Sequence, residues 1–317
     1  MLRWTLLLAL GLACSPPSAD DTGADGADAG DGVEPGPLQP LRVASFNANW
    51  LWATPGSGEV RRNATDYEMV GRLLTDNGLE LVGLQEIDGA VALNQLRLEG
   101  DWEWITGRSG WNQRVAIAWR DDLLQVSNVY EVQLPSFEGS NKQPLFGEVR
   151  SRTGDLSFLF VVVHHKPYND PDSAQERFDQ AAELHAWLRD TAPSVVSEPI
   201  FAENIVLLGD FNDTFAGINP DWPSLDVFTS DPGWDFATAY TSHYTQISYQ
   251  SQIDHIALSA PLMDSWVDAR SDAGVEVIPH EQLEPWSNYP GGYNDPEPTI
   301  SDHRPVWLRM EHGGPAR

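Results

Sequence analysis

Short hydrophobic runs that end in polar residues recur along this chain. The clearest run, residues 206–208, leads through Gly209 into Asp210, Phe211 and Asn212. A continuous apolar run of this kind is typical of a strand that is buried on both faces. Side chains alternate between the two faces of an extended backbone. The pattern therefore predicts that Asp210 and Asn212 point into one space while Phe211 faces the core.

The same construction occurs at four other places. The runs are residues 41–46 before Asn47, 79–85 before Glu86, 158–163 before His164, and 300–301 before Asp302 and His303. A further predicted strand, residues 253–259, carries Asp254 near its start. In open α/β sheets, polar groups at strand ends line a common crevice. Together these residues predict a metal-assisted hydrolytic site.

Six short motifs in this order resemble those of the endonuclease/exonuclease/phosphatase superfamily, typified by pancreatic deoxyribonuclease I. They are Ser45-Phe46-Asn47, Leu84-Gln85-Glu86, His164-His165-Lys166, Gly209-Asp210-Phe211-Asn212, Ile253-Asp254-His255 and Ser301-Asp302-His303. The resemblance spans residues 41–310. It implies an α/β fold of four layers, with two mixed β-sheets packed face to face and helices outside. It also implies divalent-metal-dependent cleavage of phosphoesters.

The resemblance implies a metal site that is built mainly from carboxylates. Glu86 and Asp302 would bind Mg²⁺ or Mn²⁺, hard cations that prefer oxygen ligands. Asn47 would contact either the phosphate or the metal. Several family nucleases carry an Asp ligand two residues later, where this chain has Asn49. That departure weakens the case for a second metal ion, and the number of ions stays open.

Five further residues receive catalytic roles from the resemblance. Asp210 would orient or deprotonate the attacking water, and Asn212 would contact the phosphate or the metal shell. His303, held by Asp254, would act as a general base or stabilise charge on the phosphate. His164 would donate a hydrogen bond to a non-bridging oxygen. The division of acid and base between Asp210 and His303 stays open at this point.

Two basic residues are candidates for substrate binding. Arg114 and Lys166 can bind phosphate, and Lys166 shares a strand face with His164 if that strand continues. A solvated surface base is the competing interpretation for both. Trp50 and Trp52 follow Asn47 closely enough to form a wall of the pocket, although most large aromatic residues belong to the core.

The N-terminal residues predict export. A positive start at residues 1–3, an apolar run at 4–13 and the sole cysteine, Cys14, resemble a bacterial lipoprotein signal, and ordinary secretion is the alternative. Residues 15–40 are mostly Asp, Ala, Gly, Pro, Ser and Thr, a composition typical of a disordered tether. We therefore expect a signal peptide at 1–14, a tether at 15–40 and one catalytic domain at 41–317. Localisation would be the cell envelope, through a lipid anchor, or the exterior.

The chain is strongly acidic, with a formal net charge of −28 over 317 residues. Residues 1–40 carry six acids and one base, so the predicted catalytic domain is itself acidic. A broad basic surface that could hold long nucleic acid is therefore absent from the composition. A bound cation and a few local bases can nevertheless bind one phosphate.

Periodicity predicts helices at 65–76, 90–98 and 173–189, with the remaining apolar runs as strands. The predicted strands include residues 236–240 and 244–249. No His-Glu-x-x-His and no Gly-x-Ser-x-Gly motif occurs, which argues against a zinc protease and a serine esterase.

These features favour an exported phosphodiester hydrolase, expected to be monomeric, with nucleic acid as its leading substrate class. A sphingomyelinase-like or phospholipase C-like activity on lipid head groups uses similar chemistry and is the alternative. A surface lipoprotein without catalytic activity is the least favoured hypothesis, because a chain freed from catalysis has no need to keep buried acids together.

Overall fold

A computed structural model describes residues 40–58, 60–139, 142–152, 156–265, 275–289 and 300–310. The predicted signal peptide, Cys14 and the predicted tether up to residue 39 lie outside these residues. Within the described ranges, no helix has the length and apolar character needed to cross a membrane.

The described residues form two six-stranded sheets. The strands are β1 Leu41–Leu51, β2 Leu81–Ile87, β3 Trp102–Thr106, β4 Arg114–Arg120, β5 Leu124–Glu131, β6 Leu145–Ser151, β7 Ser157–His164, β8 Ile205–Asp210, β9 Trp234–Phe236, β10 Asp254–Ser259, β11 Val275–Val277 and β12 Val306–Met310. The strand order is β11-β12-β1-β2-β4-β3 in the first sheet and β5-β6-β7-β8-β10-β9 in the second. Both sheets are mixed, because β1 with β2 and β7 with β8 are the parallel pairs among antiparallel neighbours.

Helices and short 3₁₀ turns connect the strands. The α-helices are α1 Ala64–Thr75, α2 Ala90–Asn94, α3 Pro171–Asp190, α4 Ala192–Val195, α5 Pro199–Glu203 and α6 Asp226–Thr229. The 3₁₀ turns are Pro135–Phe137, Ala237–Tyr240, Ala260–Ser265, His280–Gln282 and Trp286–Asn288. Local sequence explains where the long helices begin: Asn63 and Asp66 form a capping box at α1, and Asp170 caps α3 before Pro171.

The main hydrophobic core lies between the two sheets. β2 packs against β7 and β8, and β1 packs against β8 and β10. Gly83 on β2 permits this close approach, since a Cβ there would lie 2.2 Å from Leu208 Cδ1. Two outer cores complete the layers, one beneath α1 around Leu73 and one beneath α3 around Leu184. The predicted four-layer fold of two mixed sheets with outer helices is confirmed.

Strand register brings the polar strand ends to one edge of the sandwich. His164 and Asp210 are paired residues on parallel β7 and β8, and Asp254 is paired with Asp210 on antiparallel β10. In the other sheet, Asn47 is paired with Gln85, the residue before Glu86. Parallel strands place their carboxyl ends together, which is why separate motifs meet in space.

Three of the predicted elements are wrong. Residues 236–240 are mainly a 3₁₀ turn that follows the short strand β9, and residues 244–249 make only isolated bridges, from Gln246 to Ser251 and to His303. Helix α2 ends at Asn94 rather than at Leu98, and the left-handed backbone of Arg97, with φ of 50°, excludes a continuation to Leu98. Strand β11 was not predicted, since three residues are too short to show a period.

Candidate functional site

Asn47 joins the two sheets at the polar edge. Its side-chain amide nitrogen donates to Asp210 Oδ2 at 3.0 Å and to Glu86 Oε1 at 3.2 Å, so one amide holds an acid from each sheet. Its Oδ1 accepts from the backbone N–H of Asn49 at 2.9 Å. The amide nitrogen of Asn47, and not its oxygen, therefore faces the carboxylates. The sequence predicted that Asn47 contacts a metal or a phosphate, whereas in the structure it binds two acids.

Glu86 is held in a conformation that is uncommon for a residue with a side chain. Its φ is 62°, in the left-handed region, and Trp50 next to it has a φ of 55°. The backbone N–H of Trp50 donates to Glu86 Oε2 at 3.0 Å, while Asn47 donates to the other oxygen. Backbone strain of this kind persists where surrounding contacts fix it, and it occurs often at functional sites.

His303 and Asp254 form a buried pair beside Asp210. His303 Nδ1 lies 2.8 Å from Asp254 Oδ2, and ligand atoms of Asp210, Asp254 and His303 all lie within 4.8 Å of one another. Ser301 connects this group to β1, because its hydroxyl donates to Asn47 O at 2.8 Å and accepts from His303 N–H at 3.0 Å. The pairing expected between His303 and Asp254 is present in the structure.

Burial and crowding change the charge of these groups. Burial, followed by the charge of Asp254, raises the pKa of Asp210 to about 7. Burial also raises the pKa of Glu86, although Lys142 and Asn47 oppose that change. For His303, burial alone would lower the pKa, but Asp254, Asp302 and Asp210 together raise it well above 6.5. His303 is therefore an imidazolium near neutral pH in the metal-free protein.

Lys142 is a site residue that the sequence analysis missed. Its ammonium lies 3.1 Å from His164 Nε2, and its side chain is buried. Burial lowers the pKa of Lys142 to about 8, although Glu86 and Asp210 oppose this effect. An ammonium can only donate, so His164 Nε2 accepts. His164 was predicted to donate to a substrate oxygen, but its Nε2 has no N–H to donate, because it accepts from Lys142.

Burial, and then the charge of Lys142, keep the pKa of His164 well below 6.5. His164 is therefore a neutral imidazole whose Nε2 lies 3.7 Å from Asp210 Oδ2 and 3.8 Å from Glu86 Oε1. The only sequence signal for Lys142 is its place shortly before β6, the strand that pairs with the strand of His164.

Lys166 and Arg114 do not join this cluster. β7 ends at His164, so the condition under which Lys166 would share a strand face with His164 is not met, and Lys166 Nζ pairs with Glu176 at 3.2 Å. The guanidinium of Arg114 lies against Gly89, and its Nε has no hydrogen-bond partner among the described residues. Arg114 stands at the start of β4, at the same sheet edge as Glu86.

Asn212 reaches the site by a turn rather than by strand alternation. β8 ends at Asp210, and Asn212 has a left-handed φ of 51°. Its backbone N–H donates to Asp210 Oδ1 at 2.8 Å, and its side chain donates to His165 O at 3.2 Å. Asn212 therefore fixes the carboxylate of Asp210 and the segment that follows His164.

Two buried arginines hold the backbone around the site, and neither was predicted. Arg62 donates to the carbonyls of Ala48, Asn49, Trp50 and Ile300 at 2.8 to 3.0 Å, which ties the end of β1 to the segment that carries Asp302. Arg304 donates to Glu281 and lies 3.8 Å from the ring centroid of Tyr244. A single arginine in a loop gives no periodic signal, which explains why the sequence analysis missed both.

The donor set is suited to a divalent cation. Asp254 Oδ1 is buried without a partner among the described residues, and the acids outnumber the nearby cations. Asp302, whose Oδ2 lies 3.5 Å from Gln246 Nε2, adds negative charge and helps to raise the pKa of Glu86. Carboxylate oxygens at this density are typical of sites for hard cations, which neutralise them.

Comparison with known proteins identifies the family. A model of the Endonuclease/Exonuclease/phosphatase family matches residues 44–303. The chain belongs to this family. Members hydrolyse phosphoester bonds and depend on divalent metal ions, and the chain is accordingly a phosphoester-hydrolysing enzyme. The resemblance that rested on six motifs is confirmed.

Individual relatives agree with this assignment. A protein named deoxyribonuclease from Thioalkalivibrio sp. (strain K90mix) is 24% identical over 291 residues, covering 86% of this chain and 72% of the relative. Two crystal structures share the fold. An endonuclease/exonuclease/phosphatase from Bacteroides vulgatus has a TM-score of 0.57 and 18% identity, and the match covers 87% of this chain and 100% of that one. D. rerio TDP2 complexed with a single-strand DNA product has a TM-score of 0.59 and 14% identity, and the match covers 86% of this chain and 99% of that one.

The charge of Asp210 leads to a prediction for the metal-free enzyme. Its folded pKa of about 7 exceeds the ordinary 3.8, so its contribution to stability is fully present below about pH 4 and is lost as the pH rises through 7. In the presence of a chelator, we expect the free energy of unfolding of the wild type to fall between pH 5 and pH 8. The fall should exceed that of Asp210→Asn by on the order of a few kcal/mol. Urea denaturation at pH 5 and pH 8 measures both. Parallel pH dependences in the two proteins would contradict the prediction.

Lys142 and Lys166 provide a matched pair of residues for testing the role of Lys142 by substitution. Lys142→Gln removes the positive charge beside His164, and we expect a rate loss of about 10²-fold or more, the size typical of losing one electrostatic contact to the reacting group. Lys166→Gln removes a partly exposed charge that is paired with Glu176, and we expect less than about a threefold change. Initial rates on one phosphodiester substrate at a saturating metal concentration measure both rate losses. Equal losses in the two variants would refute the assignment of Lys142.

Proposed function

We propose that this enzyme is a divalent-metal-dependent nuclease that cleaves phosphodiester bonds of nucleic acid. The observation that supports this proposal is the environment of Asp210. Its two carboxylate oxygens accept hydrogen bonds from Asn47 and Asn212, and it lies next to the Asp254–His303 pair. A carboxylate oriented in this way beside an imidazole is suited to activate water at a phosphodiester. The resemblance to a protein named deoxyribonuclease supports nucleic acid as the substrate.

Mg²⁺ or Mn²⁺ is the proposed cofactor, and Glu86 and Asp302 would be its principal protein ligands. Asp254 is not counted among these ligands, because its Oδ2 lies 2.8 Å from His303 Nδ1 and is assigned to holding that imidazole. Such a cation supplies positive charge that neutralises the carboxylates and the phosphate. Few protein ligands are needed, because Mg²⁺ retains several of its waters.

The residues divide the remaining tasks. Asp210 accepts the proton of the attacking water, since its hydrogen bonds fix its orientation and leave lone pairs free. His303, whose Nδ1 is engaged by Asp254, stabilises negative charge on the phosphate through its other nitrogen. Lys142 binds a non-bridging oxygen, and neutral His164 orients Lys142 by accepting its hydrogen bond. Preorganised donors of this kind are a major source of rate enhancement in enzymes.

Export and anchoring belong to the same proposal. The leader at residues 1–14 supports export, with Cys14 as the lipidated residue, and the tether would hold a monomeric catalytic domain away from the membrane. Phospholipid head groups are the alternative substrate class, since they present a similar phosphodiester.

A nicking assay with a matched control tests this function. We expect purified protein to nick plasmid DNA with Mg²⁺ or Mn²⁺ and not in chelator. Asp210→Asn and His303→Ala should each lose about 10³-fold or more in rate, because each removes a group at the reacting phosphate. His185→Ala is the control: His185 also lies 2.8 Å from an acid, Asp231, but on the outer helix α3, and its rate should change less than about threefold.

Three results would contradict the proposal. They are nicking that persists in chelator, wild-type rates in both site variants, and an equal loss in His185→Ala. Release of phosphocholine from sphingomyelin or phosphatidylcholine, without DNA cleavage, would select the lipid alternative.

A further inference from the structure

The surface charge raises the question of how the proposed nuclease holds its substrate. Six surface arginines are each paired with an acid: Arg72, Arg97, Arg120, Arg150, Arg152 and Arg189. Arg62, Arg177 and Arg304 are buried, and the contacts described for them are with backbone carbonyls or with Glu281 and Tyr244. With a net charge of −28, substrate affinity must come from something other than a broad basic surface.

Three of the most exposed aromatic side chains of the described residues lie in loops at the catalytic edge. Trp111 is 78% exposed in the loop between β3 and β4, Tyr168 is 70% exposed after β7, and Tyr249 is 84% exposed in the segment before β10. An exposed aromatic ring does not contribute the stabilisation that its burial would provide. These three residues form what we call the aromatic rim.

The Trp111 loop is fixed in position. Glu131 Oε1 accepts from the backbone N–H groups of Arg108 and Ser109 and from the Ser109 hydroxyl, at 2.6 to 2.9 Å. The Ser109 hydroxyl also accepts from the backbone N–H of Gln143, the neighbour of Lys142, at 2.9 Å. Trp111 itself has a left-handed φ of 51°, which is unusual for a bulky residue. The loop therefore presents its ring beside the site rather than folding it inward.

The other two loops are also attached to site residues. Tyr168 has a φ of 82°, and its carbonyl accepts from buried Arg177, while Asn212 holds the carbonyl of His165 nearby. Tyr249 N–H donates to Gln246 Oε1 at 2.6 Å. Gln246 is in turn bridged to His303, and the neighbouring residue, Ile247, donates to Asp302 O at 2.8 Å. The three loops that carry the rings are thus tied to residues of the site or to neighbours of those residues in the chain.

A cavity of about 420 Å³ adjoins the Trp111 loop. It lies between β3 and β5, the edge strands of the two sheets, and Gly107, Arg108, Glu131 and Leu145 are among its lining residues. Leu145 is three residues from Lys142, a span of about 10 Å in extended chain. The volume falls in the range of small-ligand sites, and the lining combines charged Arg108 and Glu131 with apolar Leu145.

We propose that the aromatic rim and this cavity bind single-stranded nucleic acid by stacking on unpaired bases that flank the scissile phosphate. This inference rests on the proposed nuclease function and names its substrate class. Stacking is available only where bases are not enclosed in a duplex, and it is insensitive to sequence because every base has a π-face. Few phosphates are then neutralised by the protein, so the salt dependence of binding is shallow.

Substitutions that remove the rings test the proposal. The measured quantity is kcat/KM for a single-stranded 12-mer divided by kcat/KM for bis(p-nitrophenyl) phosphate, which has no bases. Trp111→Ala, Tyr168→Ala and Tyr249→Ala should each lower this ratio about fivefold to a hundredfold, the effect of losing one stacked base. Tyr168→Phe and Tyr249→Phe keep the ring and should restore the ratio. Val195→Ala, which shortens an exposed apolar side chain after α3, is the control and should leave the ratio unchanged.

Salt and strand dependence give an independent readout. With two or three phosphate contacts, log KM for the single strand should rise with log salt at a slope of about 1.5 to 2, and the 12-mer should be a better substrate than its duplex. A slope of about 4 or more, or a preference for the duplex, would overturn the proposal. So would an unchanged ratio in all three alanine variants.

The outcomes separate this inference from the function on which it rests. If no phosphodiester is hydrolysed with Mg²⁺ or Mn²⁺, the proposed function itself fails. If bis(p-nitrophenyl) phosphate and DNA are hydrolysed but the ratio does not respond to the rings, only the aromatic rim fails. If the alanine variants instead lose binding to phosphatidylcholine vesicles with no change in the ratio, the rim is a lipid-binding surface and the inference is wrong.

Discussion

The hydrogen bonds from the Asn47 amide to Glu86 and Asp210 are the contact on which the site depends. These acids come from different sheets, so a single side chain sets the distance between the two halves of the catalytic edge. Two carboxylates that share one neutral donor in a buried space cannot both ionise without cost. Burial raises the pKa of both acids, the charges of Asp302 at Glu86 and of Asp254 at Asp210 raise it further, and a divalent cation would offset this effect.

The rest of the architecture keeps these acids from moving apart. Arg62 and Ser301 connect the end of β1 to the segment that carries Asp302 and His303, and Asn212 fixes Asp210 from its own loop. Packing of the two sheets provides a rigid base, as Gly83 lets β2 approach Leu208 closely. Crowded acids supported on rigid strands form a preorganised binding place for a cation.

Sequence alone predicted most of the fold and the identities of the acids, because long apolar runs reveal buried strands and their ends. It placed Asp210, Asp254 and His303 in one site through motif order. It failed where a residue acts through tertiary contacts: Lys142 reaches His164 only because β6 pairs with β7, and Arg62 binds carbonyls from two distant segments. It left open whether Lys166 binds phosphate, because that depended on the strand continuing beyond His164. Such features depend on register and chain reversal, which carry no local period.

Anomalous diffraction from crystals soaked in Mn²⁺ provides a direct test of the proposed metal site. We expect a Mn²⁺ peak at about 2.0 to 2.2 Å, the usual metal–oxygen distance, from the carboxylates of Glu86 and Asp302. We also expect Asn47 and Asp210 to lie beside the ion and the Asp254–His303 hydrogen bond to be retained. A Mn²⁺ peak confined to surface acids, with Glu86 still bonded only to Asn47 and Trp50, would contradict this account.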